Sequence, residues 1–355
     1  MKKWFSLLLA TALFISCAAC SQNNDSGQAS KLDPAISPSD EMPDTSLEGK
    51  LITYCPPTLG DAFLASTAEK VKQYVGEMGM DMQVAEGEFN ISVQLQAFEN
   101  FISMGSDLII CQPVDVGAME PVVTEARANG VKVMFLADDP TFDCDGYFLS
   151  VDTVQGRMVA EMASTWIDTT FPDAADGEIK VAILGINDRP SALDRCNAIK
   201  ESIESDSRCT VVFEKYSISD TVEAQTAMDE CLTMYQDINV ILSFDENGCI
   251  GANARIMSDA GLDKSKIACF GGNITETGYT LVDQSATDES VVRGLVTFGD
   301  GDTYYQDIAD AIAQILRDEV PENNAFFARH EAYNTVGYVS TFDPVEYAAS
   351  YVDKT

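Results

Sequence analysis

Short runs that are almost wholly apolar alternate along this chain with longer stretches in which apolar residues recur at steps of three and four. The short runs predict strands at 51–54, 82–85, 108–111, 131–136 and 147–151, and again at 179–184, 210–213, 240–243, 267–270 and 291–298. The longer stretches predict helices. One carries Leu64, Ala68, Val71, Val75 and Met78 on a single face, others span about 91–103 and run through Met119, Val122 and Ala126 to Asn129-Gly130, and a fourth carries Val159, Met162 and Trp166. Further helices are expected at about 190–204, from the strand at 210–213 to Tyr235, at 247–260, and through Tyr304, Ile308, Ile312 and Ile315, before a terminal segment at 326–333. Strands this apolar are buried on both faces. Separated by helices, they imply right-handed βαβ units and parallel sheets.

Breakers sharpen the picture at the ends of strands. Pro56-Pro57 stops the first, Gln112-Pro113 the third, and Asp138-Asp139-Pro140 the fourth. After 147–151 the chain enters a helix for which Asp152 reads as the N-cap, and the strand–helix alternation then starts again. That restart is a crossing from one lobe into a second. The length of 355 residues also favours two domains over one core.

Composition is ordinary for a globular chain, with 46% hydrophobic and 22% charged residues, but the formal net charge of −35 is not. Such a field repels nucleic acid and anionic membrane surfaces, so neither is expected as a partner. The single histidine, His330, removes Ser-His-Asp and Cys-His chemistry unless it serves itself, and His-rich metal sites with it. Of the 10 cysteines, Cys17 and Cys20 lie at the end of the leader, and the spacing of the other eight selects no disulfide partners, so buried free thiols are expected. The acidic turns at Asp143-Cys144-Asp145-Gly146 and Asp300-Gly301-Asp302 lack the spacing of a twelve-residue calcium loop, and no metal or cofactor is expected.

Met1-Lys2-Lys3 and the apolar stretch 4–15 form a positive n-region and an h-region too short to span a bilayer. They lead to Ser16-Cys17-Ala18-Ala19-Cys20, which resembles the lipobox of bacterial lipoproteins. The resemblance implies acylation at Cys20 as the first mature residue, with Cys17 as the alternative site. Residues 21–49 are rich in Ser, Asn, Asp and Pro without apolar period, as in a flexible tether.

In open α/β sheets, ligands meet the carboxyl ends of the strands. There this chain places Asp61 and Phe63, Asp138 and Asp139, Asp194 and Arg195, Phe244-Asp245-Glu246-Asn247 and Gly271-Gly272-Asn273. Carboxylates and a planar guanidinium bind adjacent hydroxyls, and aromatic faces cover C–H surface, which suits a sugar. Each residue also has a plainer alternative. Asp61 would cap its helix, Asp138-Asp139 would form a turn, Phe63 would be core, and Arg195 would lie on the surface. From Lys50 to about Tyr338 the chain resembles ribose/galactose-type periplasmic binding proteins, the substrate receptors of sugar ABC importers. The residues that carry this are Thr58-Leu59-Gly60-Asp61-Ala62-Phe63-Leu64, Gly130-Val131-Lys132-Val133 leading to Asp138, Ser191-Ala192-Leu193-Asp194-Arg195, and Phe244-Asp245-Glu246-Asn247 with Gly251-Ala252.

The resemblance implies an α/β fold of two Rossmann-like lobes, the type I periplasmic binding protein fold, joined by three hinge crossings near Val151, Phe298 and Arg329. It places residues 50–151 and 298–328 in the N-terminal lobe, and 152–297 and 329–355 in the C-terminal lobe, behind a leader at 1–20. It implies a non-enzymatic, lipid-anchored extracytoplasmic monomer that closes over a monosaccharide or similar small polar ligand and docks on a membrane permease. Asp61, Phe63, Asp138, Asp139, Arg195 and Asp245 are the implied ligand residues. The chain departs from that pattern at Gly271, where an aspartate is usual, at Asp139, where ribose binders have arginine, and at Thr297-Phe298, where an amide is expected. An excess of acids facing one Arg195 suits either a neutral sugar donating its hydroxyls or a cation such as an amino sugar or polyamine. The resemblance favours the sugar. A sensory receptor using the same closed state, and a glycosidase using paired carboxylates, are the rival functions.

Overall fold

Strands buried on both faces must be sandwiched by helices, and this chain builds that arrangement twice. The computed structural model describes residues 47–187, 190–299 and 301–340, with 342, 344, 347 and 348. The leader, Cys20, most of the tether, Asp188, Arg189 and Asp300 lie outside the described residues.

The first half gives β1 (Leu51–Cys55), α1 (Ala62–Glu77), β2 (Asp81–Val84), α2 (Ile91–Met104), β3 (Leu108–Cys111), α3 (Glu120–Ala128), β4 (Lys132–Leu136) and β5 (Gly146–Leu149). The second gives α4 (Asp152–Thr170), β6 (Ile179–Leu184), α5 (Pro190–Glu204), β7 (Cys209–Lys215), α6 (Thr221–Met234), β8 (Val240–Ser243), α7 (Glu246–Met257), β9 (Ala268–Gly272), α8 (Glu276–Ser285) and β10 (Val292–Thr297). The chain closes with α9 (Thr303–Leu316), β11 (Ala325–Phe327) and β12 (Glu331–Asn334).

Two six-stranded sheets result, in the orders β11-β5-β4-β3-β1-β2 and β12-β10-β9-β8-β6-β7. The first is parallel throughout. The second is parallel except at its edge, where β12 runs antiparallel to β10. This is the two-lobe α/β fold. The chain passes between the sheets three times: from β5 to α4, from β10 to α9, and from β11 to β12. Helix α9 returns to the first lobe, where Ile308, Ile312 and Ile315 pack with Ile52, Leu108 and Met134.

Two local expectations are corrected. Asp152 does not cap α4. Val151 is the cap residue, and Asp152, one position inside, sends its carboxylate to Arg195 instead. Helix α8 has no counterpart among the elements the sequence pattern predicts. Its buried positions are Gly278, Val282 and Ser285, a face with one large apolar side chain and therefore almost no apolar period.

All eight described cysteines are free and buried. Burial pushes the thiols of Cys55, Cys144, Cys209 and Cys231 up to about 12, because a thiolate would lose its hydration there. They pack as small hydrophobes.

Candidate functional site

The carboxyl ends of β1 and β4 in the first lobe, and of β6 and β8 in the second, carry polar side chains that meet across the boundary between the lobes. Asp61 caps α1, its Oδ1 accepting from the Leu64 N–H at 2.9 Å. Its Oδ2 accepts from Asn247 Nδ2 of the other lobe at 3.1 Å. Asp61 is therefore both a helix cap and an inter-lobe contact. A second bridge joins Ser191 Oγ of α5 to Asp138 Oδ1, just beyond β4, at 3.2 Å. Between β4 and Asp138, Ala137 is held at φ 76°, a left-handed conformation that a Cβ disfavours, while its N–H bonds the Phe148 carbonyl at 2.9 Å. The strained residue aims the chain out of the sheet at the acid. Asp139, the next position, is exposed.

Asp245 follows β8 and caps α7, with Oδ1 accepting from the Gly248 N–H at 3.2 Å and Oδ2 from Asn247 Nδ2 at 3.2 Å. It is 8% exposed. Loss of hydration, with the nearby charge of Asp61, raises its carboxyl from 3.8 to about 6 despite those two bonds. Glu246 is also buried and raised to about 7 by desolvation. Its role is structural, since its Oε2 accepts from the Thr275 N–H, ahead of the first residue of α8, at 2.8 Å.

Arg195 is buried rather than on the surface, and is engaged within its own lobe. Nε and Nη2 both reach Asp152 Oδ1, at 2.7 and 2.6 Å. Nη1 donates to the Phe244 carbonyl at 3.1 Å and to Asn273 Oδ1 at 3.4 Å, and the guanidinium stacks 4.2 Å over the Phe244 ring. The two glycines at the end of β9 make room for this. A Cβ on Gly271 would stand 2.7 Å from Cys249 Sγ and 2.8 Å from the Asp245 carbonyl, and one on Gly272 would stand 2.7 Å from the Phe244 carbonyl and 2.9 Å from Arg195 Nη1. An aspartate at position 271 has no space here.

Phe63 lies half-buried among Phe298 and Tyr304, ring centroids 5.5 and 5.6 Å away, so the aromatic wall belongs to the first lobe and its crossing. Phe298 continues to His330 at 5.6 Å. His330 is in the β11–β12 crossing and its Nε2 accepts from the Val151 N–H of the β5–α4 crossing at 2.9 Å, so this one ring touches the other two crossings. Burial and the charge of Arg195 push it down to about 3, and it is neutral. The acidic turns are engaged too: Asp145 takes the Val133 N–H and pairs with Arg127, and Asp302 takes Lys70 and Tyr74.

The sequence pattern missed Asn247, Ser191, Asp152 and His330 as individual contributors. Their roles depend on partners far along the chain, 186 residues apart for Asn247 and Asp61. Asn273 carried a signal: after two glycines it adopts φ 58°, which asparagine tolerates better than most residues.

Two α/β lobes, three crossings between them, and carboxylates that take hydrogen bonds across the lobe boundary are the features of a two-lobed binding protein. Residues 52–315 match the model of the periplasmic binding protein domain, and the chain belongs to that family, of the ribose/galactose type. It is 26% identical over 261 residues to the ribose import binding protein of Bacillus subtilis (strain 168), covering 73% of this chain and 78% of that protein. It is 22% identical over 258 residues to a putative rhizopine-binding protein of Rhizobium meliloti, covering 70% and 78%. Among solved structures it shares the fold of an ABC transporter solute binding protein from Bacillus halodurans C-125 with bound myo-inositol, with a TM-score of 0.69, 18% identity, and 86% and 99% of the two chains covered.

Proposed function

We propose that the chain is the extracytoplasmic receptor of an ABC importer, binding a monosaccharide or similar small polar solute between its lobes without catalysis. Asp61, Phe63, Asp138, Asp139, Arg195 and Asp245 are its ligand residues, and residues 50–151 with 298–328, and 152–297 with 329–355, are the closing bodies. The observation that carries this reading is the pair of hydrogen bonds from lobe to lobe, Asn247 to Asp61 and Ser191 to Asp138. Side chains at strand ends of both lobes meet directly, and a solute touching both would favour the closed form. The ribose receptor and the inositol-bound structure described above support a polyhydroxylated ligand. Arg195 is held in one rotamer by Asp152, Phe244 and Asn273, so a ligand meets it already oriented. The closed monomer then docks on a membrane permease.

A thermal-shift panel of monosaccharides, polyols, amino sugars and polyamines tests this. At about 100 times Kd a ligand stabilises by about 2.7 kcal/mol, a rise of several degrees in melting temperature. No rise with any compound refutes the receptor reading. Residues 1–20 act as a leader, 21–49 as a tether, and Cys20 as the lipid-bearing residue. Cys20→Ser should move the protein from the membrane fraction to the soluble one, and unchanged fractionation would remove the anchor from the proposal.

A further inference from the structure

The hydrogen bonds around Asn247 say more about the solute than the acids do singly. Asp61 Oδ1 is committed to the Leu64 N–H and Asp245 Oδ1 to the Gly248 N–H, so each carboxylate has its Oδ2 left. Those two oxygens, from opposite lobes, stand 3.1 and 3.2 Å from one atom, Asn247 Nδ2. The point on which they converge requires a donor with at least two hydrogens, one for each lobe. An amide NH2 provides them. A hydroxyl has one, and would leave one of the two acceptors unmet. A protonated amine has three and adds a positive charge between two carboxylates. The local charge balance points the same way. Arg195 is paired with Asp152 inside the second lobe, and Glu246 with the backbone ahead of α8, which leaves Asp61 and Asp245 facing one another through the amide.

Resting on the receptor reading above, we infer that Asn247 Nδ2, bridging Asp61 and Asp245 of opposite lobes, marks the position of a protonated amino group of the solute, and that the protein selects amine-bearing sugars or polyols. The amide is then an internal competitor. It joins the lobes and must swing aside when the solute's nitrogen arrives.

The test is isothermal titration of the full chain and its Asn247→Ala variant. The panel pairs D-glucosamine and D-galactosamine, an aminodeoxyribose and an aminodeoxyinositol with D-glucose, D-galactose, D-ribose and myo-inositol. An amine should bind at least about tenfold tighter than its hydroxyl counterpart, a difference of about 1.4 kcal/mol. That affinity should fall several-fold between about 20 and 200 mM salt. Asn247→Ala, freed of the competitor, should bind the same amine about 3–10-fold tighter, since apparent affinity scales with the competent fraction. Scattering should also find the ligand-free variant more open than the parent. A neutral sugar binding as well as its amine overturns the inference and leaves the receptor reading standing, as does loss of amine binding in a folded Asn247→Ala protein. Absence of binding by every compound overturns both.

Discussion

Replacing Asp245 by asparagine isolates the cost of keeping that acid in the cleft. The side chain is 8% exposed, and its carboxyl rises from 3.8 to about 6. At 1.36 kcal/mol per pKa unit this is about 3 kcal/mol against the folded state once the group ionises. The sign follows from proton binding. The folded chain keeps this proton up to about pH 6, and the unfolded chain loses it near pH 4. The favourable contribution is therefore complete below pH 4 and is lost as pH rises through 6. Asparagine has no such titration. Its Oδ1 can still accept from the Gly248 N–H, but its NH2 would face the NH2 of Asn247, so about 1 kcal/mol is subtracted for the lost bond. Asp245→Asn should therefore stabilise the ligand-free protein by about 2 kcal/mol at pH 8 and slightly destabilise it at pH 4. At pH 8 this is a rise of about 4 °C in melting temperature for a chain of this size. Calorimetry of both proteins from pH 4 to 8 measures it. A difference in stability that stays constant across that range would show that Asp245 is solvated and the argument wrong. Ligand binding should fall in the same variant, so the acid is retained for function at the expense of stability.

His330→Phe removes the acceptor for the Val151 N–H and should cost about 1–3 kcal/mol at pH 7 by urea unfolding. Because the His330 ring is pushed down to about 3, its contribution is present above pH 6.5 and lost as pH falls toward 3. The variant should therefore lose less stability than the parent on acidification, and parallel pH profiles would contradict this. Gly272→Ala puts a methyl 2.7 Å from the Phe244 carbonyl and 2.9 Å from Arg195 Nη1, and should cost about 1–3 kcal/mol in the same unfolding assay. An unchanged midpoint would mean that β9 has room to shift.

The strands were legible because doubly buried parallel strands leave uninterrupted apolar runs. β3 is such a run, and β4 and β8 depart from one only at Lys132, the first residue of β4, and Ser243, the last of β8. Helix α8 was not, because Gly278 faces inward where a Cβ would meet Glu246 Oε2 at 2.6 Å, and Ser285 takes another inward place. Close packing had replaced apolar periodicity. At the site, an acid directly after an apolar strand picked out Asp138 and Asp245 locally. What joins the lobes could not be read, since Asn247 reaches Asp61, Ser191 reaches Asp138 and Asp152 reaches Arg195 only in the folded chain. Gly271 looked like a missing ligand group in sequence, and its place beneath Cys249 and Asp245 explains it as a steric requirement.

The eight buried thiols set how long the molecule survives. In the folded state none is exposed, and burial raises the thiols of Cys55, Cys111, Cys144, Cys196, Cys209, Cys231 and Cys249, which makes these seven poor nucleophiles toward oxidants. Cys55 and Cys111 face each other in register on adjacent strands, and Cys144 lies near enough to help raise the Cys111 thiol. One opening of the first lobe thus frees three thiols together. In oxidising surroundings each such opening is a chance of a wrong cross-link, which turns a reversible excursion into a permanent loss. Working lifetime then follows the rate at which the lobes unfold rather than the free energy separating folded from unfolded chains. Ligand contacts that slow opening would prolong the life of a loaded receptor over an empty one.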